Sequence, residues 1–73
     1  MAGFRDYLKE AGAELASFIS EGYVLRVHRL DKKTMKAYAM LQHQRNKAII
    51  HLYAQQDGYS IMRNGVLIKR VPQ

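Results

Sequence analysis

The chain has 73 residues, enough for one small domain with a modest hydrophobic core. It contains no cysteine, which excludes disulfide bonds and thiolate metal sites. Its hydrophobic fraction of 48% is typical of a globular chain and too high for a disordered one. We therefore predict one folded domain over residues 1–73, stabilised by the packing of its side chains.

The formal net charge of +6 is distributed unevenly along the chain. Residues 1–22 contain two basic and four acidic side chains, whereas residues 23–73 contain ten basic and two acidic ones. Positive charge concentrated in one part of a small protein indicates a polyanionic partner, although a solvated basic surface gives the same pattern.

The sequence predicts a cytoplasmic protein without membrane segments. It lacks the run of roughly 20 apolar residues that a membrane-spanning helix needs. The acidic residues near the N-terminus also interrupt any pattern of a secretory signal.

A helix is predicted over residues 4–20. Its apolar residues recur at three- and four-residue steps and so share one helical face. They are Phe4, Tyr7, Leu8, Ala11, Leu15, Phe18 and Ile19. Gly22 is expected to end the helix as a left-handed cap. The polar face is net acidic, unlike that of a membrane-surface helix, so docking on a sheet is expected.

Strands are predicted over residues 23–30, 35–43, 48–55, 59–63 and 66–71. In the first strand, alternation places Tyr23, Leu25 and Val27 on one face, and Arg26 and His28 on the other.

The last two strands flank Asn64-Gly65, the dipeptide most typical of a two-residue hairpin loop. Such a loop predicts the pairs Arg63 with Val66, Ile61 with Ile68 and Tyr59 with Arg70.

The segment 34–45 fits two structures. Its Met, Ala, Leu and Gln residues are good helix formers. Its apolar and polar residues also alternate as in a strand, and the following turn leads directly into the next strand. We favour the strand because the flanking segments are strands joined by short turns, and we keep a second helix as the alternative.

Together these elements predict an α+β fold, in which one N-terminal amphipathic helix packs on an antiparallel β-meander of four or five strands. One helix can cover only one face of such a sheet. The other face is then exposed and functional, or buried in a homodimer.

The uncovered face is expected to carry interleaved basic and aromatic side chains. Cations of this kind follow the phosphates of single-stranded nucleic acid, and aromatic rings stack on its bases. Tyrosine and histidine are also common in strands for packing reasons alone. The predicted nucleic-acid-binding residues, including basic residues of the last hairpin, are Arg26, His28, Lys36, Tyr38, His51, Tyr53, Arg63, Lys69 and Arg70.

No catalytic, metal or cofactor site is predicted. The spacing of His28, His43 and His51 matches no metal-binding pattern, and no hydroxyl residue lies in a nucleophile motif. The run Gly22–His28 resembles a strand of RelE-type toxins, a likeness that covers seven residues and would imply a metal-free ribonuclease.

Two functions from different classes are expected. The first is a small non-enzymatic protein that binds single-stranded DNA or RNA on the basic and aromatic sheet face. The second is a protein-interaction module, or a small inhibitor of the kind encoded by phages and mobile elements, that binds a larger protein. This second function would use the apolar residues Met40, Ile49, Tyr53, Met62 and Leu67, which would also serve a homodimer.

Overall fold

One helix is followed by five strands of a single antiparallel sheet in the computed structural model, which describes residues 3–72. The strands lie side by side in their chain order, so each is hydrogen-bonded to the next. The elements are α1 (Phe4–Ser20), β1 (Tyr23–Asp31), β2 (Lys36–His43), β3 (Ile49–Gln55), β4 (Gly58–Arg63) and β5 (Val66–Val71).

The predicted α+β meander is confirmed, and each element begins and ends within one residue of its predicted bounds. The ambiguous segment 34–45 contains strand β2 and not a second helix. The predicted extent 1–73 includes Met1, Ala2 and Gln73, which lie outside the described residues.

The two ends of α1 follow local rules of helix capping. The amide of Gly3 donates a hydrogen bond of 3.1 Å to the Asp6 carboxylate, which also lies near the positive end of the helix dipole. At the other end, Gly22 has the predicted left-handed conformation (φ +103°), and its amide donates to the Ile19 carbonyl.

The core lies between α1 and one face of the sheet, which we call the inner face. The helix packs chiefly on the central strand β3. Leu41, Ile50 and Ile61 are the largest fully buried side chains. The whole buried cluster comprises Tyr7, Ala11, Tyr23, Leu41, Ile50, Leu52, Ala54, Tyr59 and Ile61.

A polar contact joins α1 to β4 and β5. The Glu14 carboxylate accepts hydrogen bonds from the Tyr59 hydroxyl at 3.0 Å and from the Lys69 ammonium at 2.5 Å. The bond from Lys69 holds the pKa of Glu14 below its ordinary value, although partial burial acts in the opposite direction. Glu14 therefore stays ionised at neutral pH and joins the helix to β4 and β5.

Two register shifts decide which side chains face the helix. In the β1–β2 pair the shift lies between Leu25 and Val27, so the register skips Arg26. In the β4–β5 pair it lies between Ile61 and Met62, and the register skips Ile68. One extra residue in a strand moves each later side chain to the opposite face from the one that simple alternation predicts.

The second shift corrects the predicted hairpin register. Asn64 and Gly65 both have positive φ, as the two-residue loop requires, and Arg63 pairs with Val66 as predicted. Beyond the shift, however, Ile61 pairs with Lys69 instead of Ile68. Tyr59 likewise pairs with Val71 and not with Arg70.

Leu41→Ala and Leu67→Ala remove the same atoms from opposite environments, since Leu41 is 0% exposed and Leu67 is 52% exposed. We expect Leu41→Ala to lower the free energy of unfolding by about 2–5 kcal/mol, because it leaves a cavity in the core. Leu67→Ala should cost about 1 kcal/mol or less. Urea denaturation followed by circular dichroism measures both, and equal losses would contradict the assigned core.

Candidate nucleic-acid interface

The sheet face opposite α1, which we call the outer face, carries a row of five residues, one from each strand. Cross-strand pairing places these residues side by side. We call them the aromatic row: Arg29, Tyr38, Tyr53, Ser60 and Arg70. The row crosses four strand spacings of about 4.8 Å and is therefore about 19 Å long.

The two tyrosines of the aromatic row, Tyr38 and Tyr53, form a ring cluster with His51 at the centre of the outer face. The Tyr38 and Tyr53 ring centroids are 5.1 Å apart, and those of Tyr38 and His51 are 5.8 Å apart. The Tyr38 hydroxyl lies 2.7 Å from His51 Nδ1, within hydrogen-bond distance. Tyr53 is 36% exposed, so its ring is available to a ligand.

The surroundings of Tyr38 keep its hydroxyl protonated. Burial is the main reason that its pKa lies above the ordinary tyrosine value, and the neighbouring Tyr53 adds to this effect. The positive charge of Arg29 acts in the opposite direction, because it favours the phenolate. Tyr38 therefore offers a neutral hydroxyl group and a π-face at neutral pH.

Tyr53 stands between two shallow concavities. One, of about 270 Å³, is lined by Tyr38 together with the cationic residues Arg29 and Lys36 and the acidic residue Asp31. The other, of about 110 Å³, is lined by Ser60 and Arg70 and also by Asp57 and Tyr59. Each side of the exposed ring thus has an arginine of the aromatic row beside it.

An apolar row runs parallel to the aromatic row on the outer face. The same cross-strand pairing defines the apolar row. His51 belongs both to the apolar row and to the ring cluster. The members of the apolar row are Val27, Met40, His51, Met62 and Leu67. Leu67 is half exposed, so this part of the outer face is partly hydrophobic at its β5 end.

The structure brings together five of the nine residues predicted to bind nucleic acid. Tyr38, Tyr53 and Arg70 belong to the aromatic row, and His51 belongs to the ring cluster. Lys36 lies on the same face, opposite Asp31 at the end of the β1–β2 pair.

The other four predicted residues are placed elsewhere. Arg26 is the exposed residue that the β1 register skips. His28 lies opposite Ala39 on the inner face, because the bulge reverses the predicted alternation. Arg63 pairs with the buried Ile50, also on the inner side, at the hairpin end. Lys69 is bound to Glu14 of the helix. The predicted position of His28 on the uncovered face is therefore corrected, and the hairpin face whose burial the sequence left open turns out to place Arg63 and Lys69 on the inner side.

The sequence prediction missed Arg29. Unbroken alternation from Tyr23 assigns Arg29 to the buried face, whereas the bulge turns it outward, opposite Tyr38. One signal was present in the sequence. Leu25 and Leu30 are five residues apart in the chain. Two residues separated by an odd number of positions point to opposite faces of a regular strand, so they share the apolar face only if the strand contains one extra residue.

His43 has a structural role at the end of β2. Its Nδ1 accepts a hydrogen bond from the Arg45 amide at 3.1 Å, so the proton of the neutral ring is on Nε2. Nε2 then donates to the Glu21 carbonyl at 3.1 Å and connects β2 to the end of α1.

From Gly3 to Pro72, no three His, Asp or Glu side chains come close enough together to hold a metal ion. The single helix in this part of the chain is too short and too polar to cross a membrane. Comparisons of the chain with protein-family models, curated proteins and solved structures find no match. Functional inference therefore starts from the geometry of the outer face.

The Tyr38 phenol should ionise above the ordinary tyrosine pKa, as measured by the ultraviolet difference titration between the wild type and Tyr38→Phe. Arg29→Gln should raise this pKa further, because it removes a charge that stabilises the phenolate. Arg45→Gln, which removes the same charge from the β2–β3 turn, should leave it unchanged. A lower pKa in Arg29→Gln would contradict the assigned contact.

Proposed function

We propose that this protein binds single-stranded DNA or RNA on its outer face and performs no chemistry on it. The observation that carries the proposal is the aromatic row, with two adjacent tyrosines at its centre and an arginine toward each edge of the sheet. Single-strand-binding surfaces combine these two features, rings for the bases and cations for the phosphates.

The dimensions of the row suit a short oligonucleotide. Stacked nucleotides repeat about every 3.4 Å along a strand, so a row of about 19 Å accommodates about five of them. Tyr53 offers its exposed ring to one base, and Tyr38 supports that ring from the neighbouring strand. Arg29 and Arg70 are both exposed and would contact phosphates on either side of the stacked bases.

The charge distribution favours the same face. Four of the six acidic residues belong to α1 and the residue that ends it, and α1 covers the inner face. The outer face has the cations Arg29, Lys36 and Arg70, and Asp31 opposite Lys36. A strand of phosphates would therefore approach the outer face more favourably than the helix side.

A preference for single strands follows from the position of the rings. In a duplex the bases are stacked and paired, and only splayed or single-stranded bases can stack on a protein ring. Tyr38 and Tyr53 lie on neighbouring strands of the sheet, where their rings can meet only bases that are not stacked within a duplex.

The stacking contact is tested with Tyr53→Ala and its matched control Tyr53→Phe. Loss of the ring should weaken single-strand binding by about 1–3 kcal/mol, or roughly 5- to 150-fold in Kd, whereas Tyr53→Phe keeps the π-face and should bind nearly normally. Fluorescence anisotropy with a labelled single strand and a duplex control measures this. Equal losses for both nucleic acids, or none, would exclude stacking on Tyr53.

The phosphate contacts are tested with three matched charge removals. Arg29→Gln and Arg70→Gln should each reduce the salt dependence of single-strand binding by about 0.7 in the slope of log K against log salt. Arg45→Gln removes the same charge from the β2–β3 turn and should leave the slope nearly unchanged. If all three variants behave alike, binding depends on net charge and not on this face.

The apolar row supports a second candidate function, the binding of a larger protein or of a second copy. Its half-exposed Leu67 lies beside Met62 at the β5 end, and exposed apolar area of this kind is typical of protein interfaces. Sedimentation at low and high salt separates the candidates. Salt-insensitive self-association that Leu67→Ala abolishes, together with no oligonucleotide binding, would favour the protein interface.

A further inference from the structure

A second surface feature lies on the opposite side of the sheet. A groove of about 310 Å³ runs between α1 and the β1–β2 part of the inner face. The residues that line it include Leu8 and Leu15 of the helix, Leu25 and Leu30 of β1, and Leu52 of β3. Leu30 remains 51% exposed, so the protein leaves hydrocarbon accessible to solvent here.

Small residues on the facing elements keep the groove open. Ala11 and Gly12 line it from the helix, and Ala37, Ala39 and Ala54 line it from the sheet. A Cβ atom added at Gly12 would meet no other atom within 4 Å.

The position of the helix contributes as well. The helix packs chiefly on the central strand β3, and its Glu14 binds Tyr59 of β4 and Lys69 of β5. Toward the end of β1, His28 and Leu30 of the inner face remain exposed.

The polar residues that line the groove are cationic or neutral. His28 and Arg29 of the edge strand β1 line it, as does Tyr38. Among the residues of the described chain that line the groove, none is Asp or Glu. An apolar ligand with an anionic group thus finds hydrocarbon along the groove, and the imidazole of His28 and the cationic Arg29 belong to the residues at its β1 edge.

We propose that this groove binds a small amphipathic carboxylate, with its acyl or aromatic body along the leucines and its carboxylate beside His28. The volume lies at the lower end of the range of about 300–1,000 Å³ that is typical of small-molecule sites. The proposal does not rest on the function proposed for the outer face, because its ligand lies against His28 and the leucines of the inner face, although Arg29 and Tyr38 line the groove and also belong to the aromatic row.

The ligand class is tested with two probes that share one hydrocarbon chain, decanoate and decyltrimethylammonium, each below its critical micelle concentration. In ¹H–¹⁵N NMR titrations of the full chain, decanoate should bind saturably and shift the amides of groove residues such as Gly12, Ala39 and Leu52. The cation should bind more weakly. His28→Gln should raise the Kd for decanoate by about tenfold, the size of one charge-assisted hydrogen bond.

The location is tested with groove-filling variants. Gly12→Leu places a side chain where the groove is open and replaces a glycine within a helix, so it should fold at least as well as the wild type. It should abolish saturable decanoate binding, and Ala39→Leu should do the same from the sheet side. Tyr53→Ala, on the outer face, is the matched control and should bind decanoate normally.

Several results would overturn the proposal. They are the absence of saturation, equal binding of decanoate and the cation, amide shifts confined to the outer face, and undiminished binding by Gly12→Leu. Concentration-dependent shifts of the groove amides without added ligand would also overturn it, because they would assign the groove to a second copy of the chain. None of these outcomes affects oligonucleotide binding, which Tyr53→Ala tests separately.

Discussion

One helix has to bury its apolar stripe, and one helix can cover only one face of a five-stranded sheet. This constraint gives the sheet an inner face that packs against the helix and an outer face that the helix does not cover. Burial of Leu41, Ile50 and Ile61 under α1 stabilises the fold. The outer face contributes little to that core and is free to carry rings and cations. Both proposed binding surfaces follow from this division.

Two bulges distribute the basic residues between the faces. Without the extra residue in β1, Arg29 would face the helix and His28 would face solvent beside the tyrosines. Without the extra residue in β5, Lys69 would leave its position opposite Ile61, and the ion pair with Glu14 would be lost. Both bulged strands are the edge strands of the sheet, where a bulge also hinders pairing with another chain.

The contact of Glu14 with Lys69 and Tyr59 affects both sides of the molecule. It joins the helix to β4 and β5, whereas the apolar groove lies between α1 and the β1–β2 part of the inner face. It also engages Lys69, which the β5 bulge places on the inner side of the sheet, so the outer face depends on Arg29, Lys36 and Arg70 for its positive charge. Arg29 and Tyr38 line the groove and also belong to the aromatic row, so β1 and β2 are shared by the two surfaces.

Local patterns in the sequence predict the helix, the hairpin at Asn64-Gly65 and an antiparallel meander of four or five strands. The segment 34–45 fitted both a strand and a helix, and its place in the sheet as β2 shows that it is a strand. The same local signals correctly placed Tyr38, His51 and Tyr53 on one sheet face, because β2 and β3 contain no bulge and simple alternation holds throughout both strands. Only the tertiary structure decided the placement of His28, Arg29 and Lys69. A bulge depends on how two strands fit together, and an ion pair such as Glu14–Lys69 joins residues 55 positions apart in the chain.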